Sequence, residues 1–208
     1  MFIDLFPIRI YKNKIVDVDQ LYQSILPTLE LMWNNDVNEH PHLGMNSHTT
    51  YRINNTLHTL PEMAGLVNQI DSMLIEYWNE LNFFPGLTPY ITEMWSNRNQ
   101  KNSALHPHNH APYHMNGVVY LNKTNSHGNI VFENPSSLIV SLQPLNYNST
   151  NEMQFGIEKE IEITTGDILI FPGWLRHYTR KTVDDGRAVI AFNVGCTGNY
   201  PISNYVNR

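Results

Sequence analysis

HPHNHAPYHMNGVVYLN, residues 106–122, joins two patterns. Its first nine residues hold four histidines, and three of them, His106, His108 and His110, fall at every second position. Alternate side chains of an extended chain share one face. Such a run can aim a row of imidazoles at one point, as a metal ion requires. The second half, NGVVYLN, is short, β-branched and bounded by Asn and Gly, which reads as a strand.

Around it lie further runs of the same kind: YITEMWSN, GNIVFENP, SSLIVSL, EKEIEITTG, DILIFPG and RAVIAFNV. About seven short strands at close spacing predict an antiparallel sandwich or barrel. The segment 144–156, PLNYNSTNEMQFG, reads as a long polar loop of the kind that can act as a lid. Upstream of the FFPGLTP turn signal the periodicity changes. From Pro61, a residue suited to a first helical position, Met63, Leu66, Val67, Ile70, Met73, Leu74, Tyr77, Trp78 and Leu81 recur at three- and four-residue intervals and predict a helix over 61–81. A second helix is expected through LYQSILPTLELMW (21–33), capped by Asp17 or Asp19 and bent or broken at Pro27. A short strand is expected over 3–11, and His40, His42, His48 and His58 read as loop or surface residues. Helices before strands give an α+β class, not an alternating one, with the helices packed on one sheet.

The 208 residues favour a single domain over 1–208, with 1–88 as a helical support region carrying the N-terminal strand. The formal charge of −6 disfavours a nucleic-acid partner. No apolar run is long enough to span a bilayer, so no membrane partner is expected. The single cysteine, Cys196, excludes an intrachain disulfide and a cysteine-based zinc site. The opening MFIDLFPIRIYKNK lacks the pattern of a signal peptide. The expectation is a cytoplasmic protein, in the host cytoplasm if the source is viral; a homodimer stays open.

A further histidine stands apart in GDILIFPGWLRHYTRKTVDDGRAVIAFNV. His177 falls just past the apolar strand ILIFP, and Arg187, ten residues on, opens the next strand. An arginine opening an apolar strand either snorkels or pairs with an anion.

An H-x-H pair, a distal histidine and an arginine ten beyond it resemble the iron(II)- and 2-oxoglutarate-dependent dioxygenases, on their prolyl-hydroxylase-like side. The chain is most similar to a subgroup of such oxygenases found in bacteria and phages. LFPIRIY resembles that subgroup's opening strand, MWSN its tryptophan-bearing strand, HNHAPYHMNGVVYLN its H-x-H segment, GNIVFENP its glycine turn, and GDILIFPGWLRHYT with RAVIAFN its distal histidine and arginine. The resemblance implies a double-stranded β-helix, or jelly roll, over 89–208 with the metal at its mouth. It implies Fe(II) as cofactor and 2-oxoglutarate as co-substrate, with a hydroxylated small molecule or peptide as product. Its ligands would be His108, His110 and His177. Arg187 would hold the distal carboxylate of 2-oxoglutarate, with Tyr120 and Asn193 beside the same group.

One departure stands out. The superfamily usually presents His-x-Asp or His-x-Glu, and this run contains no acid. His106 with His108 is the rival ligand pair, and Glu133 the nearest downstream acid able to turn in. His114 reads as an outer or surface residue, and Asn109, Asn116 or Asn193 could accept from a ligating imidazole. Two other readings stay open: a non-catalytic jelly-roll binding or structural module, and a cupin-like three-histidine metalloenzyme that does not use 2-oxoglutarate.

Overall fold

A computed structural model of the protein describes residues 7–36, 47–83, 85–122, 128–137 and 156–198. His40 and His42, most of the SSLIVSL run and the 144–156 loop apart from Gly156 lie outside the described residues.

Two helices form from the expected stripes. Helix α1 (Val18–Asn34) buries Ile25, Leu29 and Trp33, and α2 (Ala64–Glu80) buries Leu66, Ile70, Leu74, Tyr77 and Trp78. Pro61 opens a short 3-10 turn, Pro61–Met63, that leads into α2. Of the bend or break expected at Pro27, a break does not occur: α1 runs on through it. A proline inside a helix costs about 3 kcal/mol. Ile25, Leu29 and Trp33 are each fully buried, and such side chains contribute roughly 1.5–3 kcal/mol apiece, which offsets that cost. Asp17 occupies the N-cap position in a left-handed conformation without a side-chain cap bond, so neither expected aspartate caps the helix that way.

The strands are β1 (Tyr11–Lys14), β2 (His48–Thr49), β3 (Leu87–Asn99), β4 (Met115–Asn122), β5 (Ile130–Glu133), β6 (Glu158–Ile161), β7 (Asp167–Pro172), β8 (His177–Thr179) and β9 (Arg187–Gly198). They form a six-stranded sheet in the order β1-β7-β4-β9-β3-β2 and a three-stranded sheet β6-β5-β8. These strands pair antiparallel throughout the described residues. Alternation divides the large sheet's side chains. Met115, Val119, Leu121, Ile168, Ile170, Phe192 and Val194 pack under the helices. Tyr120, Leu169, Phe171 and Val189 face Ile130 and Phe132 of the small sheet. Strand β7 is buried on both faces, which is why ILIF reads as an unbroken apolar run.

The front of the chain also contributes sheet edges. Of the strand expected over 3–11, residues 3–6 lie outside the described residues, 7–10 have no regular structure, and only Tyr11 belongs to a strand, β1, which runs on to Lys14 and pairs with β7. Ion pairs fix that place: Lys14 Nζ stands 2.8 Å and Lys12 Nζ 3.3 Å from the buried carboxylate of Asp167. His48 opens β2 instead of lying in a loop. No helix among the described residues is long and apolar enough to cross a membrane.

Gly117 on β4 faces Phe192 on β9, and a Cβ at Gly117 would lie 2.0 Å from Phe192 Cζ. Gly117→Ala is therefore expected to destabilise the protein by about 1–3 kcal/mol. The urea midpoint should fall accordingly and recover in part when Phe192→Leu removes the ring edge. An unchanged midpoint in Gly117→Ala would refute this packing.

Candidate metal centre

Two distant segments meet at the open end of the sandwich. His177 does not simply trail the ILIFP strand, as the sequence suggests, but opens β8 on the small sheet opposite Phe132. The arm carrying residues 105–110 lies beside it. His108 and His177 form an isolated antiparallel bridge in which each backbone N–H donates to the other's carbonyl, at 3.0 and 2.9 Å. Residues opposed in such a pair present their side chains to one face. His110, two residues on, shares that face, and its N–H donates to the Gly173 carbonyl at 2.9 Å. The three imidazoles each offer a nitrogen within 4.8 Å of the others.

Hydrogen bonding fixes which nitrogen points inward. His108 Nδ1 is 2.8 Å from the His106 carbonyl and His177 Nδ1 is 2.9 Å from the Leu175 carbonyl. A carbonyl only accepts, so both Nδ1 atoms carry the proton. His110 Nδ1 is 2.7 Å from Asn193 Oδ1, and Asn193 Nδ2 donates to Glu93 Oε2 at 2.7 Å. A carboxylate also only accepts. The amide orientation follows, and His110 Nδ1 is the donor. All three Nε2 lone pairs then face the cavity. His108 Nε2 and His110 Nε2 are 2.9 Å apart, with no proton available to lie between them. Two ligands at right angles on a metal with bonds of ~2.0–2.1 Å stand about 3 Å apart. The donor set thus fits a cation held on one face and open on the other.

Burial holds the ligand set neutral. It pushes His177 down to about 3 and His108 down to about 4, each helped by its imidazole neighbours. His110 is also lowered by burial, against the opposing pull of Asn193 and the Glu93 charge. The Trp95 ring stacks on His110 at 5.9 Å, and Phe171 meets His177 edge-on at 4.8 Å.

Arg187 opens β9 at the other end of the same inner face and is only 4% exposed. Nη1 donates to Asn99 Oδ1 at 2.8 Å, Nε has no partner, and the guanidinium lies 5.2 Å above the Tyr120 ring. No carboxylate pairs with it among the described residues. A buried cation without an anion is costly, so the position fits a carboxylate. Tyr120 is buried, and burial raises its phenol to about 12, keeping it a donor. The cavity between His110 and Arg187 measures about 460 Å³.

The remaining sequence candidates fall elsewhere. His106 is exposed and contributes only its carbonyl. Glu133 bonds Arg176 at 2.8 Å. His114 is exposed and lies 3.2 Å from Cys196 Sγ. Asn109 is exposed, while Asn116 is buried with neither amide atom partnered. Asn193, expected beside the co-substrate, has both ends of its amide engaged by His110 and Glu93. Sequence reading missed Glu93 and Asn99, although Glu93, Trp95, Asn97 and Asn99 alternate along one strand.

A family described as "Putative 2OG-Fe(II) oxygenase" matches residues 93–193, the segment holding all of these groups. No curated protein matches. Among solved structures, HygX from Streptomyces hygroscopicus, with nickel and 2-oxoglutarate bound, is 17% identical with a TM-score of 0.60, over 90% of this chain and 83% of that one. A prolyl-4-hydroxylase from Pseudomonas putida is 10% identical at 0.59, over 88% and 91%. The non-heme alpha ketoglutarate dependent epimerase SnoN from nogalamycin biosynthesis is 12% identical at 0.62, over 94% and 80%. The likeness establishes the double-stranded β-helix, in which the two sheets described above are the walls.

The buried imidazoles also set an acid sensitivity. In the unfolded chain they protonate near 6.5, whereas His108 and His177 in the fold resist protonation down to about 4 and about 3. In that window the unfolded state binds more protons, so stability falls as pH falls. The urea midpoint of the metal-free protein is expected to drop between pH 7 and 5, and to drop less steeply in His177→Gln. Equal slopes for the two proteins would contradict the buried neutral state.

Proposed function

We propose that this chain, which belongs to the 2OG-Fe(II) oxygenase superfamily, is an iron(II)- and 2-oxoglutarate-dependent hydroxylase of a peptide or small-molecule substrate. The observation that carries the reading is the pairing of three convergent, proton-free Nε2 atoms with an unpaired buried guanidinium in one cavity. His108, His110 and His177 would hold the iron, and Arg187 the distal carboxylate of 2-oxoglutarate. When bound, the metal and co-substrate supply the oxidising chemistry, in which O₂ and 2-oxoglutarate yield succinate, carbon dioxide and a hydroxylated substrate.

The chain's own residues supply position and exclusion. The three Nδ1–H bonds hold each imidazole in one tautomer, so the ligand atoms need no reorganisation. Asn99 steers the Arg187 guanidinium from one side and the Tyr120 ring supports it from below. A forked guanidinium matches a carboxylate better than a point charge does. The Tyr120 hydroxyl, kept protonated, is a donor at hand for the same group. Val118, Val189 and Ala191 line the middle of the cavity and keep water from the reacting centre. Tyr51, Arg52, Asn109 and Tyr113 also line it. Tyr51 and Asn109 are exposed, which gives a substrate an open approach. The unpaired guanidinium disfavours both a purely binding module and a three-histidine enzyme without 2-oxoglutarate.

Incubation with iron(II), O₂ and labelled 2-oxoglutarate is expected to yield succinate slowly even without substrate. Arg187→Ala should raise the KM for 2-oxoglutarate about 10–100-fold, the loss of a charged hydrogen bond worth ~1.5–3 kcal/mol. Absence of succinate from the iron-loaded protein, with 2-oxoglutarate giving no thermal stabilisation, would reject the assignment.

A further inference from the structure

Three neutral imidazoles bring no negative charge to a divalent cation. Among the described residues that line the cavity, Glu93 is the only carboxylate. It is not a neighbour of any ligand in sequence, and it does not touch one. Asn193 stands between, 2.7 Å from His110 Nδ1 on one side and 2.7 Å from Glu93 Oε2 on the other. The second carboxylate oxygen is held as well: Asn55 Nδ2 donates to Glu93 Oε1 at 2.9 Å, and the Tyr51 hydroxyl lies 3.5 Å from it.

The backbone is bent to put Glu93 there. Strand β3 pairs with β9 in regular register except between Ile91 and Glu93, where one residue is inserted. Ile91 and Met94, three apart, both pack beneath the helices, which strict alternation forbids. The bulge at Thr92 absorbs the odd residue and turns Glu93 onto the inner face, opposite Asn193. The Thr92 hydroxyl donates to the Asn193 carbonyl at 3.0 Å, tying the bulge to the strand it faces.

Building on the three-histidine reading above, we infer that Glu93 is the outer charge of the metal site: its carboxylate, relayed by the Asn193 amide to the His110 Nδ1–H, supplies the negative charge that the ligand set lacks. A partner that draws on the far N–H of an imidazole raises the electron density at its ligating nitrogen, and removing such a partner costs 10–100-fold in metal affinity. Glu93 is thus a positioning residue that acts through Asn193 and His110.

The test is anaerobic calorimetric titration of the full chain with cobalt(II), with the visible spectrum of the bound ion as a second readout. Wild type should bind one ion, and His177→Ala should abolish the site. Glu93→Gln keeps the size of the side chain and an acceptor for Asn193 but loses the charge, so its affinity is expected to fall about 10–100-fold. The double variant Glu93→Gln/Asn193→Asp moves the charge one residue inward, onto the side chain that accepts directly from the His110 Nδ1–H. It is expected to recover most of the loss and restore the wild-type spectrum, which a purely structural role for Glu93 would not allow. An affinity for Glu93→Gln within twofold of wild type overturns the inference, as does a double variant no tighter than the single one. In either case cobalt(II) binding by wild type and its loss in His177→Ala leave the three-histidine reading standing. Failure of wild type to bind cobalt(II) overturns both.

Discussion

Two nitrogen lone pairs 2.9 Å apart, with no proton to share, repel each other, and the whole mouth of this protein is arranged around that fact. Each histidine has spent its one N–H on an acceptor facing away from the cavity: two backbone carbonyls and one amide oxygen. The inward nitrogens are left as acceptors only, able to take a cation or a donor from the cavity. What holds them together against repulsion is backbone. The mutual hydrogen bonds between His108 and His177 pin the histidine arm to the small sheet, and the His110 N–H anchors the arm to Gly173. Neither contact depends on the imidazoles, so the three rings are placed by backbone alone. Cation binding then converts a repulsion into coordination, and metal affinity becomes folding stability.

The inner face of the large sheet extends this arrangement into a gradient. Cross-strand register puts Glu93 opposite Asn193, then Trp95 opposite Ala191, then Asn97 opposite Val189, and last Asn99 opposite Arg187. Charge occurs at the two ends and the middle is largely apolar. With a cation held by the three imidazoles as proposed, that end and the guanidinium at the other would suit a small molecule with acidic groups at both ends. The apolar stretch between them lowers the local dielectric, which strengthens both electrostatic contacts. The helices take no part in the site. They seal the opposite face of the sheet through Phe192, Val119 and Ile170, and so make the wall rigid enough to hold that register.

Much of this was legible from residue order. The period-two spacing of His108 and His110, the apolar ILIFP run and the arginine opening RAVIAFN mark the convergent imidazoles and the buried guanidinium without coordinates, because strand alternation is a local rule. Long-range pairing is not local. That His177 opens a strand of its own, opposite His108, depends on a register between segments almost seventy residues apart. The bulge at Thr92 was equally hidden: one inserted residue reverses the faces of a strand, and nothing in YITEMWSN marks where the reversal falls. Glu93 was missed for that reason. Pro27 misled in the opposite direction, since a local helix breaker was overruled by the burial of Ile25, Leu29 and Trp33.

The bulge also bears on why the arm carries histidine at 110, where the superfamily pattern has an acid. A carboxylate at that position would bring its charge directly to the metal but has no N–H to donate to the Asn193 amide oxygen. Imidazole is longer and has two ends: one nitrogen faces the cavity while the other reaches the amide 2.7 Å away. Coulomb attraction falls with distance, from about 4 kcal/mol for unit charges at 4 Å in a protein-surface environment to half that at twice the separation. Moving the charge out to Glu93 therefore weakens the hold on the metal without abolishing it. An acid at 110 and an acid at 93 together would place two negative charges across one amide, at a cost to both. Histidine at 110, the Asn193 amide and the bulge that delivers Glu93 form one mutually dependent set, in which each accounts for the other two.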